Sequence, residues 1–250
     1  CFWKVRMEAM QIVSDKTEFK LKGASAVAIG KFDGIHAGHY RLIDEILRQK
    51  KNGLKSVIFT FFPSATVYFG GGTPSLLTPE QMKRLMKKLK STFGLSGKCE
   101  ISMESNPKTA DYAKLHAFRK LGINRLSIGV QSFDDADLSV CGRAHHAADA
   151  VNFFTAARKA KFENISFDLM YGIPGQTLQT VVNNINTAIH LEPEHISLYG
   201  LKVEEGTPFW FDRHELAFPD EETERSMYFT SVGLLEQAGY HQYEISNFAK

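Results

Sequence analysis

The chain has 250 residues, 43% of them hydrophobic, and its 30 basic against 28 acidic residues leave a formal charge of +2. That length suits one large domain or two small ones with a sizeable core. The near-neutral balance gives no bulk field that would recommend nucleic acid or an anionic membrane as the partner.

Residues 1–23 read as an N-terminal flank, opening on Cys1 with Met7 and Met10 close behind, and they are set outside the expected fold. From Ala26 the apolar run AVAIG, a polar glycine-bearing turn, the helical stretch HYRLIDEILRQKKNG and the run SVIFTFF make one strand-helix-strand unit, residues 24–64. Leu42, Ile43 and Ile46 are its expected buried stripe, with Gly53 as the helix stop. At Thr66 the pattern changes abruptly. TVYF, CEISM, RLSIGV, NISFDLM and HISLYGL alternate with helical stretches to the end of the chain, predicting an α/β fold with a parallel sheet, open or curved into a barrel. In QMKRLMKKLK, Met82, Leu85, Met86 and Leu89 share one helical face, so its lysines read as a solvated outer surface. In LQTVVNNINTAIH, Leu178, Val181, Val182, Ile185, Ala188 and Ile189 fall at helical spacing.

The residues after each strand carry the functional signal. Gly70, Gly71, Gly72 and Thr73 follow TVYF, Glu104 follows EISM, Gln131 follows SIGV, Asp168 lies within SFDLM and Lys202 follows HISLYGL. In parallel strand-helix folds the carboxyl ends of the strands face the ligand, so polar groups placed there converge on one mouth.

Residues 66–250 resemble the radical S-adenosylmethionine family of oxygen-independent coproporphyrinogen III oxidases and haem chaperones. The resemblance is carried by TVYFGGGTPSLLTPEQ, EISMESNP, LGINRLSIGVQSFDD, GRAH, FDLMYGIPGQT, PEHISLYGL, GTPF and AGYHQYEISNFAK. It implies a partial (β/α) barrel that binds S-adenosylmethionine at its strand ends, with porphyrin or haem as a further ligand. By the same resemblance Gly71 and Gly72 let the backbone approach the amino-acid end of the cofactor, Thr73 adds a hydroxyl, and Glu104 holds a positively charged group. Gln131 and Arg143 engage polar groups and the carboxylate, Asp168 accepts from the ribose hydroxyls, and Lys202 completes the set. Arginine suits a carboxylate through its fork of donors, and aspartate suits a diol. The alternative for Arg143 and Asp168 is an internal ion pair.

The family also implies a [4Fe-4S] cluster on a Cys-x3-Cys-x2-Cys loop. Cys1, Cys99 and Cys141 are the only cysteines, and no such loop precedes TVYF. Cys99 and Cys141 read as small buried hydrophobes, no metal ligands and no catalytic residues are assigned, and the expectation is a truncated, inactive protein. So few cysteines point to a reducing compartment, no apolar run reaches the roughly 18 residues of a membrane span, and a cytoplasmic location is expected.

Residues 24–64 resemble the FMN adenylyltransferase domain of bifunctional riboflavin kinase and FAD synthetase, through VAIGKFDGIHAGH and GLKSVIFTFFPS. That resemblance implies a Rossmann-like nucleotidyltransferase fragment in which Gly30, Phe32, Asp33, His36, Gly38 and His39 contact ATP. Phe62 departs from the usual acidic residue, and a later ISST-type motif is missing. The two resemblances together suggest a chimera joined near residues 64–70. Three readings follow: a radical-family protein, an ATP-binding nucleotidyltransferase fragment, and a chain without activity.

Overall fold

The structure, a computed structural model, describes residues 66–250 apart from 94, 96 and 98, the strand backbones Ser25–Ile29 and Lys55–Phe59, and Glu45 and Arg48. The chain divides into two compact units, Cys1–Ala65 and Thr66–Lys250. In the first, β1 (Ser25–Ile29) pairs with β2 (Lys55–Phe59) in parallel, Val27 opposite Val57. A parallel pair is what a strand-helix-strand unit requires. Glu45 and Arg48 are helical and form an exposed ion pair at 2.9 Å. The expected ATP contacts Gly30, Phe32, Asp33, His36, Gly38 and His39 lie outside the described residues, as do Leu42, Ile43, Ile46 and Gly53.

The second unit holds a mixed, mostly parallel sheet of seven strands. They are β3 (Val67–Phe69), β4 (Ile101–Ser105), β5 (Arg125–Gln131), β6 (Asn164–Tyr171), β7 (His195–Gly200), β8 (His241–Glu244) and β9 (Asn247–Ala249), in the order β3-β4-β5-β6-β7-β9-β8. From β3 to β7 each strand lies parallel beside its successor, as repeated right-handed strand-helix units produce. β9 then runs antiparallel to β7, and β8 antiparallel to β9. The five strands expected in this unit are all present, and the closing hairpin adds two.

One face of the sheet supplies the core. Ile101 and Met103, Leu126, Ile128 and Val130, Ile165, Phe167 and Leu169, Ile196 and Leu198, and Phe248 alternate along their strands and are buried. They pack against Met82 and Met86 of the helix Pro79–Phe93, Leu115 and Phe118 of Tyr112–Leu121, Phe153, Phe154 and Ala157 of Ala147–Lys159, Val181, Ile185 and Ala188 of Leu178–Leu191, and Met227 and Leu235 of Glu221–Gln237. Phe167 sits edge-on to Phe154 and Phe133, with ring centroids 5.1 and 5.9 Å away. Two apolar stripes are narrower than their spacing predicted. Leu85 is 42% exposed while Met82 and Met86 are buried, and Leu178 is 37% exposed while the buried residue next to Val181 and Ile185 is Asn184. Leu178 is the first residue of its helix, where the chain has not yet turned onto the sheet.

Side-chain caps fix several helix starts and so the lengths of the loops that carry polar residues. Asp111 accepts from Lys114 N at 2.8 Å, Thr177 from Thr180 N at 3.2 Å and Asp220 from Thr223 N at 2.8 Å. Gly122, at φ 110°, closes Tyr112–Leu121 in the left-handed conformation.

Candidate cofactor site on the strand ends

The opposite face of the sheet is polar. Ser102 and Glu104 of β4, Arg125, Ser127 and Gly129 of β5, Ser166 and Asp168 of β6, and His195, Ser197 and Tyr199 of β7 alternate with the core residues. A closed strand-helix barrel fills that face with bulky aliphatic residues. Small hydroxyls and charged groups here leave a surface that can accept a polar ligand.

Glu104 anchors one side. Its Oε1 accepts from the Tyr68 hydroxyl at 2.9 Å and its Oε2 from Gly71 N at 3.1 Å. Gly71 holds φ 85°, which favours glycine, and a Cβ there or on Gly72 would meet nothing within 4 Å among the described residues. A Cβ on Gly70 would lie 2.6 Å from Tyr68 Cε1 and 2.8 Å from Glu104 Oε1, so that glycine is what allows the tyrosine to reach the carboxylate. Burial, then the hydrogen bond and charge of Glu104, raise the Tyr68 phenol well above its ordinary range, so it stays a donor. Thr73 is half-buried and accepts from Asn106 Nδ2 at 3.3 Å.

Asp168 lies across β5 from Glu104. Ser127 Oγ sits 3.0 Å from each of its carboxylate oxygens, so one hydroxyl proton is shared between them. Ser197 gives its single hydroxyl proton to Asn247 Oδ1 at 2.9 Å. Burial pushes the Asp168 carboxyl up to about 6, with the Glu104 charge adding to the rise and the Ser127 bonds and the Arg125 charge opposing it. Further down the same face His195 Nδ1 meets Ser166 Oγ at 2.7 Å and its Nε2 meets the Tyr243 hydroxyl at 2.8 Å. Burial, with the Arg125 charge second, pushes the His195 imidazole down to about 4, so it is neutral.

Gln131 ends β5 with φ 68° and is buried. A Cβ on Gly129 would stand 2.5 Å from Asn106 Oδ1 and 3.0 Å from Gln131 Nε2, so both amides occupy the space beside that glycine. Arg143 lies in the turn after the helix Asp135–Val140, half-buried, with its backbone N–H on Leu138 O at 2.9 Å. Its guanidinium makes no side-chain hydrogen bond or ion pair among the described residues, and the Arg143–Asp168 pair considered as an alternative does not form. Lys202 is the exception in the set: its side chain is 82% exposed and its ammonium pairs with Glu204 at 2.9 Å.

The sequence reading missed Tyr68, Asn106 and Ser127, which bond residues it chose. A signal was present for Ser127. Ile-Ser-Met-Glu, Leu-Ser-Ile-Gly, Ile-Ser-Phe-Asp and Ile-Ser-Leu-Tyr repeat one alternation in β4, β5, β6 and β7, a serine followed two residues later by the strand-end group.

The sequence pattern of the Radical SAM superfamily matches residues 37–188, more than half of the chain. The chain belongs to the radical SAM superfamily. Relatives include the haem chaperone HemW of Bacillus subtilis (strain 168), 45% identical over 74% of this chain and 50% of the relative. Another is HemW of Synechocystis sp., 40% identical over 75% and 46%. A mitochondrial radical S-adenosyl methionine domain-containing protein 1 of Danio rerio is 32% identical over 100% of this chain and 60% of its own. Among solved structures the coproporphyrinogen III oxidase HemN of Escherichia coli superimposes with a TM-score of 0.67 at 28% identity, over 74% of this chain and 43% of that one. The chain therefore spans about half the length of the curated bacterial relatives it matches. The superfamily match starts at residue 37, inside the segment read as FMN adenylyltransferase, and lends that reading, its ATP contacts and the chimera no support.

Membership in the radical SAM superfamily implies S-adenosylmethionine and a [4Fe-4S] cluster. The described residues do not fit the cluster. Cys99 is buried in the core just before β4, at the opposite end of that strand from Glu104, and Cys141 follows the helix Asp135–Val140, half-buried, its thiol pushed up by burial. Cys1 lies outside the described residues, and among these no three His, Cys, Asp or Glu side chains are grouped to hold a metal ion. No helix among them is long and apolar enough to cross a membrane.

Proposed function

We propose that this radical SAM chain binds S-adenosylmethionine across the carboxyl ends of β3 to β6 and belongs to a protein handling haem, as its haem-chaperone relatives are named to do, or a related porphyrin. The observation that supports this most is the single polar sheet face that joins Glu104, Ser127 and Asp168 while leaving the Arg143 guanidinium without a partner among the described residues. Glu104, held by Tyr68 and Gly71, would receive the cofactor's ammonium beside the open backbone of Gly71, Gly72 and Thr73. Arg143 would take its carboxylate, Gln131 a polar edge, and Asp168 the ribose hydroxyls, with Ser127 keeping the carboxylate oriented. Lys202 would have to leave Glu204 to take part. These residues bind and orient, and the described residues supply no cluster through which a reaction step could run.

Calorimetric titration of the chain with S-adenosylmethionine tests the reading. Binding that weakens at least about tenfold in both Glu104→Gln and Asp168→Ala supports it, since charge-assisted contacts contribute about 1.5–3 kcal/mol each. Equal heats from the three proteins would remove both carboxylates from the site. Titration with haemin, followed by its visible absorption, tests the haem assignment separately.

A further inference from the structure

Gln131 is a non-glycine residue in the left-handed region, at φ 68°, at the end of a buried strand. Around it Ser132 N donates back to Val130 O at 2.9 Å. A bond from residue i+2 to residue i across a positive φ is a γ-turn of the strained kind, which persists only when its surroundings hold it. Two groups do so here. His145, buried at 5% exposure, places Nε2 3.2 Å from the same Val130 oxygen. A carbonyl oxygen can only accept, so Nε2 carries the proton. On the exit side the Ser132 hydroxyl donates to Asp137 Oδ2 at 2.7 Å and accepts from Asp134 N and Asn184 Nδ2 at 3.0 and 2.8 Å. The turn lays the Gln131 amide over Gly129 next to Asn106, whose own amide reaches Thr73.

We infer that His145 is a positioning residue for Gln131: by holding Val130 O it keeps the strained turn that aims the Gln131 amide at the ligand. His145 itself touches no ligand. The ligand arm of the test rests on the S-adenosylmethionine reading, and the stability arm does not.

Melting midpoints of the full chain are compared for the original, Gln131→Gly, His145→Leu and the double variant. Glycine relieves the strain at positive φ, so Gln131→Gly should raise the midpoint by roughly 2–4 °C. With His145 replaced the turn is free to relax, and the gain should shrink below about 1 °C. If His145→Leu does not fold, His145→Asn, one bond too short for the Val130 oxygen, replaces it. An equal gain in both backgrounds overturns the inference. In the ligand arm, S-adenosylmethionine affinity falls about tenfold in His145→Leu, recovers to within about threefold in His145→Gln, whose amide reaches the same acceptor, and falls no further when Gln131→Ala is added. Additive losses would also overturn it. An original chain that does not bind S-adenosylmethionine sinks the proposed function and leaves the melting cycle to decide the role of His145.

Discussion

At Asp168 the fold keeps a carboxyl group where burial pushes its ionisation up to about 6, against about 3.9 for the unfolded chain. The protonated form is the one the fold favours, so this group's contribution to stability is complete below about pH 4 and is lost as pH rises through 6. Asp168→Asn should accordingly stabilise the protein by about 2 kcal/mol at pH 8, with the difference fading near pH 4. Urea denaturation at both values measures it, and no gain at pH 8 would mean that the carboxylate is better solvated than its burial implies. The same ionisation governs the proposed ligand. Affinity for S-adenosylmethionine should weaken as pH falls from about 7.5 to about 5, because a protonated Asp168 gives up acceptor capacity, and the Asp168→Asn variant should show no such slope. At Gly70 the added Cβ of Gly70→Ala meets the flexible end of Glu104 and the Tyr68 ring. The carboxylate must swing away, so affinity should drop about tenfold while the melting point shifts little. A large fall in melting point with affinity unchanged would place Gly70 in the scaffold instead.

The loops after β5 and β6 are joined at the level of elements by one buried carboxylate. Asp137 Oδ2 accepts from Ser132 Oγ and Gln176 Nε2, both at 2.7 Å, and from Asn184 Nδ2 at 3.4 Å. Ser132 follows the strand that carries Gln131, and Gln176 lies in the turn after the strand that carries Asp168, so the clamp sets the spacing of two strand ends of the proposed site. Asp137→Ala leaves those buried donors without their shared acceptor and should cost about 3 kcal/mol or more in chemical denaturation. A loss below about 1 kcal/mol would show that water replaces the carboxylate. The clamp also explains why Asn184 is buried beside the apolar stripe of its helix: its amide turns toward Phe133 N and Ser132. A helix that touches a loop as well as a sheet needs polar groups on its buried side.

Across the whole molecule the two faces of the sheet have different tasks, and adjacent residues of β6 should reveal it. Phe167, packed against Phe154 and Phe133, should lose about 3–5 kcal/mol on substitution by alanine. Asp168, its neighbour on the other face, should gain stability when neutralised. Denaturation of both variants under one condition checks that the signs differ, and a shared sign would mean the second face is part of the core.

The strands, the main helices and most strand-end groups were legible because each depends on neighbours in the chain: hydrophobic alternation, helical spacing, and the glycines and acids placed after apolar runs. Glu104, Gln131 and Asp168 could be chosen that way without knowing what surrounded them. Which partner holds each of them could not be read that way, even though the serine repeat marks Ser127. Tyr68 lies 36 residues from Glu104 and Ser127 lies 41 from Asp168, and only the parallel register of β3 to β6 brings each pair within hydrogen-bond distance. The strain at Gln131 is equally non-local, since nothing in a glutamine codon specifies a positive φ and the turn exists through His145, Ser132 and Asp137. Sequence alone determined which residues lie at the strand ends, because local periodicity is a property of one segment. Which of them are held, ionised or strained was decided by tertiary structure, because burial and hydrogen bonding are properties of pairs that only folding brings together.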